Sequence, residues 1–348
     1  MQYGFSIKRK CYLLSVLLMT VWLTGCVQEE FESTPSPAGN GIRFTLTVPD
    51  VNLPSVSSRT MTGTGTAKKE DEIETVDILV FDMSKTPAVF LEWASATEVT
   101  QDLADNSTVS FSAVLSPTTA STCIVVVANK ELDDIVSGFT KGVTTKVRAM
   151  EEMLHTQTGK WLADGSTTGG YTRIPMYGEK VISKITPSMN PITDINMKRM
   201  LARIDIRNNS VTSNFTVEEV YLANYNTTGY IAPAWNTNGQ VTEPAPDTPV
   251  LPTGSGKMTE EGNAILYSVN GNTPYDGEIY TFESLAAEDA GGVGQDGEAS
   301  RKDATCLIVK GRIGTGESTF YRVDFTKTGN VGEQVEYLPL KRNHKYII

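Results

Sequence analysis

The segment Ile42-Arg43-Phe44-Thr45-Leu46-Thr47-Val48 alternates apolar and polar side chains without a break. A period of two places Ile42, Phe44, Leu46 and Val48 on one face of an extended chain, and a helix cannot satisfy it. A lone strand is unstable in water, so this one needs sheet neighbours and a core beneath it. The same kind of signal recurs down the chain. Val76-Asp77-Ile78-Leu79-Val80-Phe81 reads as a buried strand, with residues 88–93 as its partner. Val109, Phe111, Ala113 and Leu115 alternate, and residues 123–128 are a continuous apolar run of the kind that fills a central strand. Short strands are predicted at 174–178 and 181–185, then at 215–225, 264–269, 279–284, 304–310, 320–325 and 335–340. One helix is predicted, with Thr144 or Thr145 as N-cap and Val147, Met150 and Leu154 on its apolar face. Short strands with turn residues between them indicate an all-β fold of sandwiches with minor α content.

A chain of 348 residues is long enough for two domains. The pace changes near residues 195–207, where Met200, Ala202, Ile204 and Ile206 alternate beside Arg199, Arg203 and Arg207. The expected division is therefore an N-terminal domain over 42–195 and a C-terminal domain over 196–348. Within the first, strand 42–48 is joined to the body by a loop, residues 56–69. That loop is small, polar and glycine-containing, a composition accessible to proteases.

The N-terminus carries a delivery signal. Lys8, Arg9 and Lys10 precede an apolar run over 11–23 that is shorter than the roughly 20 residues a membrane-spanning helix takes. The run ends in Leu23-Thr24-Gly25-Cys26, which resembles the bacterial lipobox. That resemblance implies removal of residues 1–25 as a lipoprotein signal peptide, lipidation of Cys26 and attachment to the cell outer membrane. Each buried acyl CH₂ contributes ~0.8 kcal/mol, so stable anchoring takes several chains. Residues 26–41 form a polar tether. Its Gln28, Glu29, Glu30 and Glu32 resemble the surface-export signal of Bacteroidetes lipoproteins, and a solvated tether is the other reading.

Charge and chemistry narrow the function. The formal net charge is -11, and loss of the signal peptide makes it more negative still, which argues against a nucleic-acid partner. Cys123 and Cys306 sit in β-branched runs and read as buried thiols, with a disulfide as the alternative. The two histidines, His155 and His344, have no metal-ligand spacing, and no Gly-x-Ser-x-Gly elbow is present. Gly254-Ser255-Gly256 lacks the context of a phosphate loop. The acidic glycine-rich stretch 288–303 lacks EF-hand spacing. No enzyme and no cofactor are expected.

Several pieces then stand in a familiar order: Val76-Asp77-Ile78-Leu79-Val80-Phe81-Asp82, Val125-Val126-Val127-Ala128-Asn129, Ile174-Pro175-Met176-Tyr177-Gly178, Leu201-Ala202-Arg203-Ile204-Asp205-Ile206 and Tyr337-Leu338-Pro339-Leu340-Lys341-Arg342-Asn343-His344-Lys345-Tyr346. Behind a lipobox, this order is similar to the fimbrillin family of Bacteroidetes, the subunits of type V pili. The resemblance implies two tandem transthyretin-like β-sandwich domains and a place in the fimbrium at the cell surface. It implies that an arginine-specific surface protease cuts between Arg59 and Thr60, removing the lipid and strand 42–48 together. A strand from a neighbouring subunit then refills the groove left by Ile42, Phe44, Leu46 and Val48, by donor-strand exchange. The partners so implied are other fimbrial subunits, the protease, the outer membrane through the lipid, and host or bacterial surface receptors for adhesion.

Two variants stay open. One is a pilus anchor or tip subunit that keeps its lipid. The other is a non-polymerising surface lipoprotein that binds glycans, with Trp93, Trp161 and Trp235 as stacking candidates. Polymerising members continue past the Arg-Asn-His-Lys-Tyr ending into a donor segment, whereas this sequence stops at Ile348. The expectation is that the donor strand is encoded beyond that point, or that the donor function is absent or carried elsewhere.

Overall fold

The computed structural model describes residues 41–48, 69–101, 108–161, 173–208, 214–256, 262–269, 275–287, 303–327 and 336–348, all within one unit of residues 40–348. The strands of the first half are β1 (Gly41–Thr47), β2 (Val76–Asp82), β3 (Val89–Ser95), β4 (Thr97–Gln101), β5 (Thr108–Val114), β6 (Thr122–Ala128), β7 (Leu154–Thr156), β8 (Met176–Ile182), β9 (Ile192–Asn196) and β10 (Lys198–Arg199). They build one sheet in the order β4-β5-β1-β9 and a second in the order β10-β8-β6-β2-β3. The second half continues with β11 (Ala202–Ile206), β12 (Phe215–Ala223), β13 (Thr228–Tyr230), β14 (Ile265–Ser268), β15 (Tyr275–Thr281), β16 (Cys306–Ile313), β17 (Thr319–Val323), β18 (Thr326–Lys327), β19 (Glu336–Tyr337) and β20 (Lys345–Ile347). Its sheets run β15-β11-β20 and β14-β12-β16-β17. The fold is all-β.

The five-stranded sheet is the middle layer. Ile78 and Val80 of β2 and Ile124 and Val126 of β6 face the sheet that holds β1. Leu79, Phe81, Cys123, Val125 and Val127 point the other way, into a core shared with Ala149, Met150 and Met153 and with Ile231, Ala232, Tyr280 and Phe282 of the second half. A sheet covered on both faces calls for unbroken apolar strands, which is why 123–128 shows no alternation. The short pair β7 with β13 also joins the halves. A third core lies between the two sheets of the second half, around Val220, Leu222, Tyr267, Leu307 and Tyr346.

The halves repeat one strand order. β1 pairs antiparallel with β5 and parallel with β9, and β11 pairs antiparallel with β15 and parallel with β20. In the facing sheets, β3-β2-β6-β8 matches β14-β12-β16-β17. Strand partnership passes from the first set to the second between Arg199 and Ala202.

Three local expectations are corrected. The helix runs Lys146–Glu152, with the Thr145 side chain accepting a hydrogen bond from the Arg148 N–H as its cap. Its buried face is Lys146, Ala149 and Met150, while Leu154 has already entered β7. Lys146 is buried because its ammonium meets Glu179 at 2.6 Å. The two short strands expected at 174–178 and 181–185 are one strand, β8. Its polar centre is held in place because Glu179 bonds Lys146 and Tyr177, and Lys180 donates to the Thr193 carbonyl at 2.6 Å. Trp161 is buried against Phe282 and His155 and presents no stacking platform to solvent. Cys123 and Cys306 are buried and form no disulfide with each other, and burial pushes the Cys123 thiol up to about 12.

Candidate functional site: the first strand and its groove

β1 is an interior strand. Gly41 to Thr47 lie opposite Val114 to Thr108 of β5, residue for residue. On the other edge Phe44 pairs with Ile192 and Leu46 with Ile195 of β9, with an irregularity between them. The Met197 N–H donates to the Thr47 carbonyl at 2.8 Å. The alternation read from sequence matches the burial: Ile42, Phe44, Leu46 and Val48 are all sunk in the core. Phe44 stacks on Phe111, its direct cross-strand partner, with ring centroids 4.9 Å apart and planes within 4°. Such aromatic pairs add stabilisation beyond the area they bury.

The inward face of β1 carries no polar atom. Loss of an interior strand of this kind exposes two unpaired sheet edges and an apolar slot between them, and the slot takes any extended chain with apolar residues at alternate positions.

The chain that follows is fixed where it re-enters the described structure. The turn Lys69–Asp71 is held by four groups. Glu70 accepts from Arg203 at 3.0 Å and from the Tyr280 hydroxyl at 2.8 Å. Asp71 pairs with Arg199, and its carbonyl accepts from Gln101 at 2.8 Å. Burial first, and then the Glu70 carboxylate, push the Tyr280 phenol well above its ordinary pKa. The Arg199-Arg203 spacing is visible in the sequence, but of the acidic partners only Asp205 is local, while Asp71 and Glu70 lie 128 and 133 positions away, where no local pattern points to them.

The Arg-Asn-His-Lys-Tyr ending also has a structural role. Arg342 pairs with Glu283 at 2.7 Å and donates to the carbonyls of Ile231 and Tyr230. Asn343 adopts a φ of 55° and its side-chain oxygen accepts from Arg199 at 2.9 Å. Asn is among the few residues that tolerate this left-handed backbone. β20 then runs parallel to β11, and the Tyr346 hydroxyl donates to the Pro339 carbonyl at 2.7 Å. Cys26, Arg59 and Thr60 lie outside the described residues. Among the described residues no group of three His, Cys, Asp or Glu side chains is placed to hold a metal ion.

Fold and site together define an all-β protein of repeated strand order whose N-terminal strand is an interior filler of its sheet. The chain belongs to the major fimbrial subunit (FimA) family, whose model matches residues 42–264. No curated protein matches it. Among solved structures it is similar to the tip fimbrial protein Mfa3 from Porphyromonas gingivalis with a C-terminal truncation, at 16% identity over 88% of this chain and 93% of that one, TM-score 0.48. It is also similar to a protein from Parabacteroides distasonis described as a cell adhesion protein, at 16% identity over 89% of each chain, TM-score 0.45. A fimbrial assembly protein from the same species matches at 12% identity over 86% of this chain and 94% of that one, TM-score 0.40.

Proposed function

We propose that this fimbrial subunit is exported as a lipoprotein through Cys26, trimmed between Arg59 and Thr60 by an arginine-specific protease, and assembled by donor-strand exchange into a surface fimbrium that serves adhesion. In this reading each half is one transthyretin-like domain. The observation that carries it is the setting of β1, an interior strand with a purely apolar inward face. Four buried side chains at about 1.5–3 kcal/mol each contribute roughly 6–12 kcal/mol to the filled slot. The lock on Glu70 and Asp71 supports the trimming step, because it holds the body together on the far side of the cut. A head-to-tail exchange of this sort does not close on itself and yields an open filament.

The test is controlled digestion of the intact chain with an arginine-specific protease. Release of the segment ending at Arg59, followed by SDS-resistant ladders or by capture of a synthetic strand bearing apolar residues at alternate positions, is the expected result. A trimmed chain that neither assembles nor captures such a strand would falsify the exchange. N-terminal sequencing of the surface form distinguishes a shaft subunit beginning at Thr60 from an anchor that retains Cys26.

A further inference from the structure

A cavity of about 300 Å³ lies between the segment of residues 233–250 and the ending Lys341-Arg342-Asn343-His344. That volume is at the small end for ligand sites and suits one sugar ring. Pro233, Pro244, Pro246 and Pro249 give it a stiff apolar lining. Lys198, Lys341, Arg342 and His344 line it as well. Three cations and two carboxylates, Glu243 and Glu283, line the cavity, and Asp247 outside the lining pairs with Lys341, so the cations are balanced and their availability depends on how firmly each pair is held.

The ion pairs differ in how firmly they are committed. Arg342 and Glu283 are both buried and bonded to each other, with Arg342 also satisfied by two carbonyls. Lys198 is held by Glu243, whose side chain is 58% exposed, and Lys341 is held at 3.2 Å by Asp247, which is fully exposed. Exposed pairs of this kind contribute little and exchange readily with another anion. Burial, and then the nearby Arg342 charge, lower the pKa of Lys198, a stress that an incoming carboxylate relieves. His344 adds the opposite polarity. Burial above all lowers its pKa, so the ring is neutral at pH 7. Its Nδ1 donates to the Arg342 carbonyl at 2.7 Å, which leaves Nε2 as an acceptor.

We propose that this cavity binds a hexuronic acid residue of a glycan, with its carboxylate on the Lys198 and Lys341 ammonium groups, a hydroxyl donating to His344 Nε2 and the apolar ring face against the prolines. The site is distinct from the β1 groove and does not depend on strand exchange. Titration of the intact chain, followed by NMR or calorimetry, tests it with galacturonate, its methyl glycoside, galactose and acetate. Galacturonate and the glycoside are expected to bind alike, and galactose and acetate at least about tenfold more weakly, the factor that one charge-assisted hydrogen bond supplies. Lys198→Gln and Lys341→Gln should each cost about tenfold. Asp247→Asn frees Lys341 without touching the cavity wall and should tighten binding several-fold, a gain that misfolding cannot produce. Equal binding of galacturonate and galactose, or of galacturonate and acetate, overturns the proposal. So does binding indifferent to all three substitutions. Binding of galacturonate with rejection of its glycoside overturns the glycan assignment.

Discussion

β1 and β11 occupy the same place in two copies of one strand order, yet they are held by different forces. β1 contributes Ile42, Phe44, Leu46 and Val48 to an apolar core, and the slot it fills is defined by shape and backbone pairing. β11 likewise buries Ala202, Ile204 and Ile206 in an apolar core, and is tied by charge as well. Arg203 forks onto Asp205 at 2.7 and 3.0 Å and reaches Glu70 at 3.0 Å, while Arg199 just before it meets Asp71 and Asn343. Taking β11 away would leave Glu70 without its Arg203 cation, a cost that a generic apolar strand would not recover. On its inward face β1 leaves only apolar surface behind, the kind that a second strand of the same pattern would cover. For the proposed exchange, the repeated topology thus offers one strand held inward by apolar contacts and one that carries a buried ion pair besides.

The largest effect should come from removing β1. A chain lacking residues 1–59 is expected to lose roughly 6–12 kcal/mol of stabilisation. A synthetic peptide of residues 41–48 should return most of it, as read by urea unfolding with and without peptide. No recovery would mean that β1 is more than an apolar filler. Next in size is the ion pair on β11. Arg203→Ala leaves Glu70 and Asp205 without their cation and should cost about 3–5 kcal/mol. That loss should be the same before and after trimming, because the ion pairs lie beyond the cut; a loss that changes with trimming would couple the two strands.

A smaller effect is expected at the floor beneath β1. A Cβ on Gly178 of β8 would lie 2.7 Å from Met197 Sδ and 2.8 Å from Ile195 Cγ2, on and beside β9. Gly178→Ala should therefore cost about 1–3 kcal/mol by overpacking and weaken capture of the 41–48 peptide. An electrostatic effect, the smallest of these at neutral pH, is expected at the junction of the halves. His155 on β7 is lowered to about 4, by burial foremost and then by the Lys130 charge. A depressed histidine pKa means that between pH 6.5 and 4 the unfolded chain takes up a proton that the folded chain refuses. Stability is thus full above pH 6.5 and falls as the pH drops towards 4. His155→Gln should flatten that slope, and His344, also lowered, acts in the same direction.

Legibility followed the range of the interactions. Strict alternation located β1 and its four inward residues, since sheet geometry turns a period of two directly into burial. The unbroken run 123–128 located the central strand, and the pair Thr144 and Thr145 bracketed the start of the helix, which Thr145 caps. Strand β8 was split because Glu179 and Lys180 look like a turn until Lys146 and Thr193 are seen beside them. Trp161 could be weighed as a surface platform only while His155 and Phe282, its ring neighbours, were unknown. The cavity beside His344 draws Lys198, the prolines and the C-terminal turn from three distant stretches, so no local pattern announced it.

By itself the sequence determined the all-β class, the family order of motifs and the identity of the four side chains that fill the first slot. These depend on local periodicity and on hydrophobicity, both written residue by residue. Only the tertiary structure decided that β1 lies inside its sheet between β5 and β9, and that Glu70 and Asp71 are pinned by Arg203 and Arg199. Strand neighbours and ion-pair partners are chosen by folding across more than a hundred residues, where charge and backbone pairing leave no periodic mark on the chain.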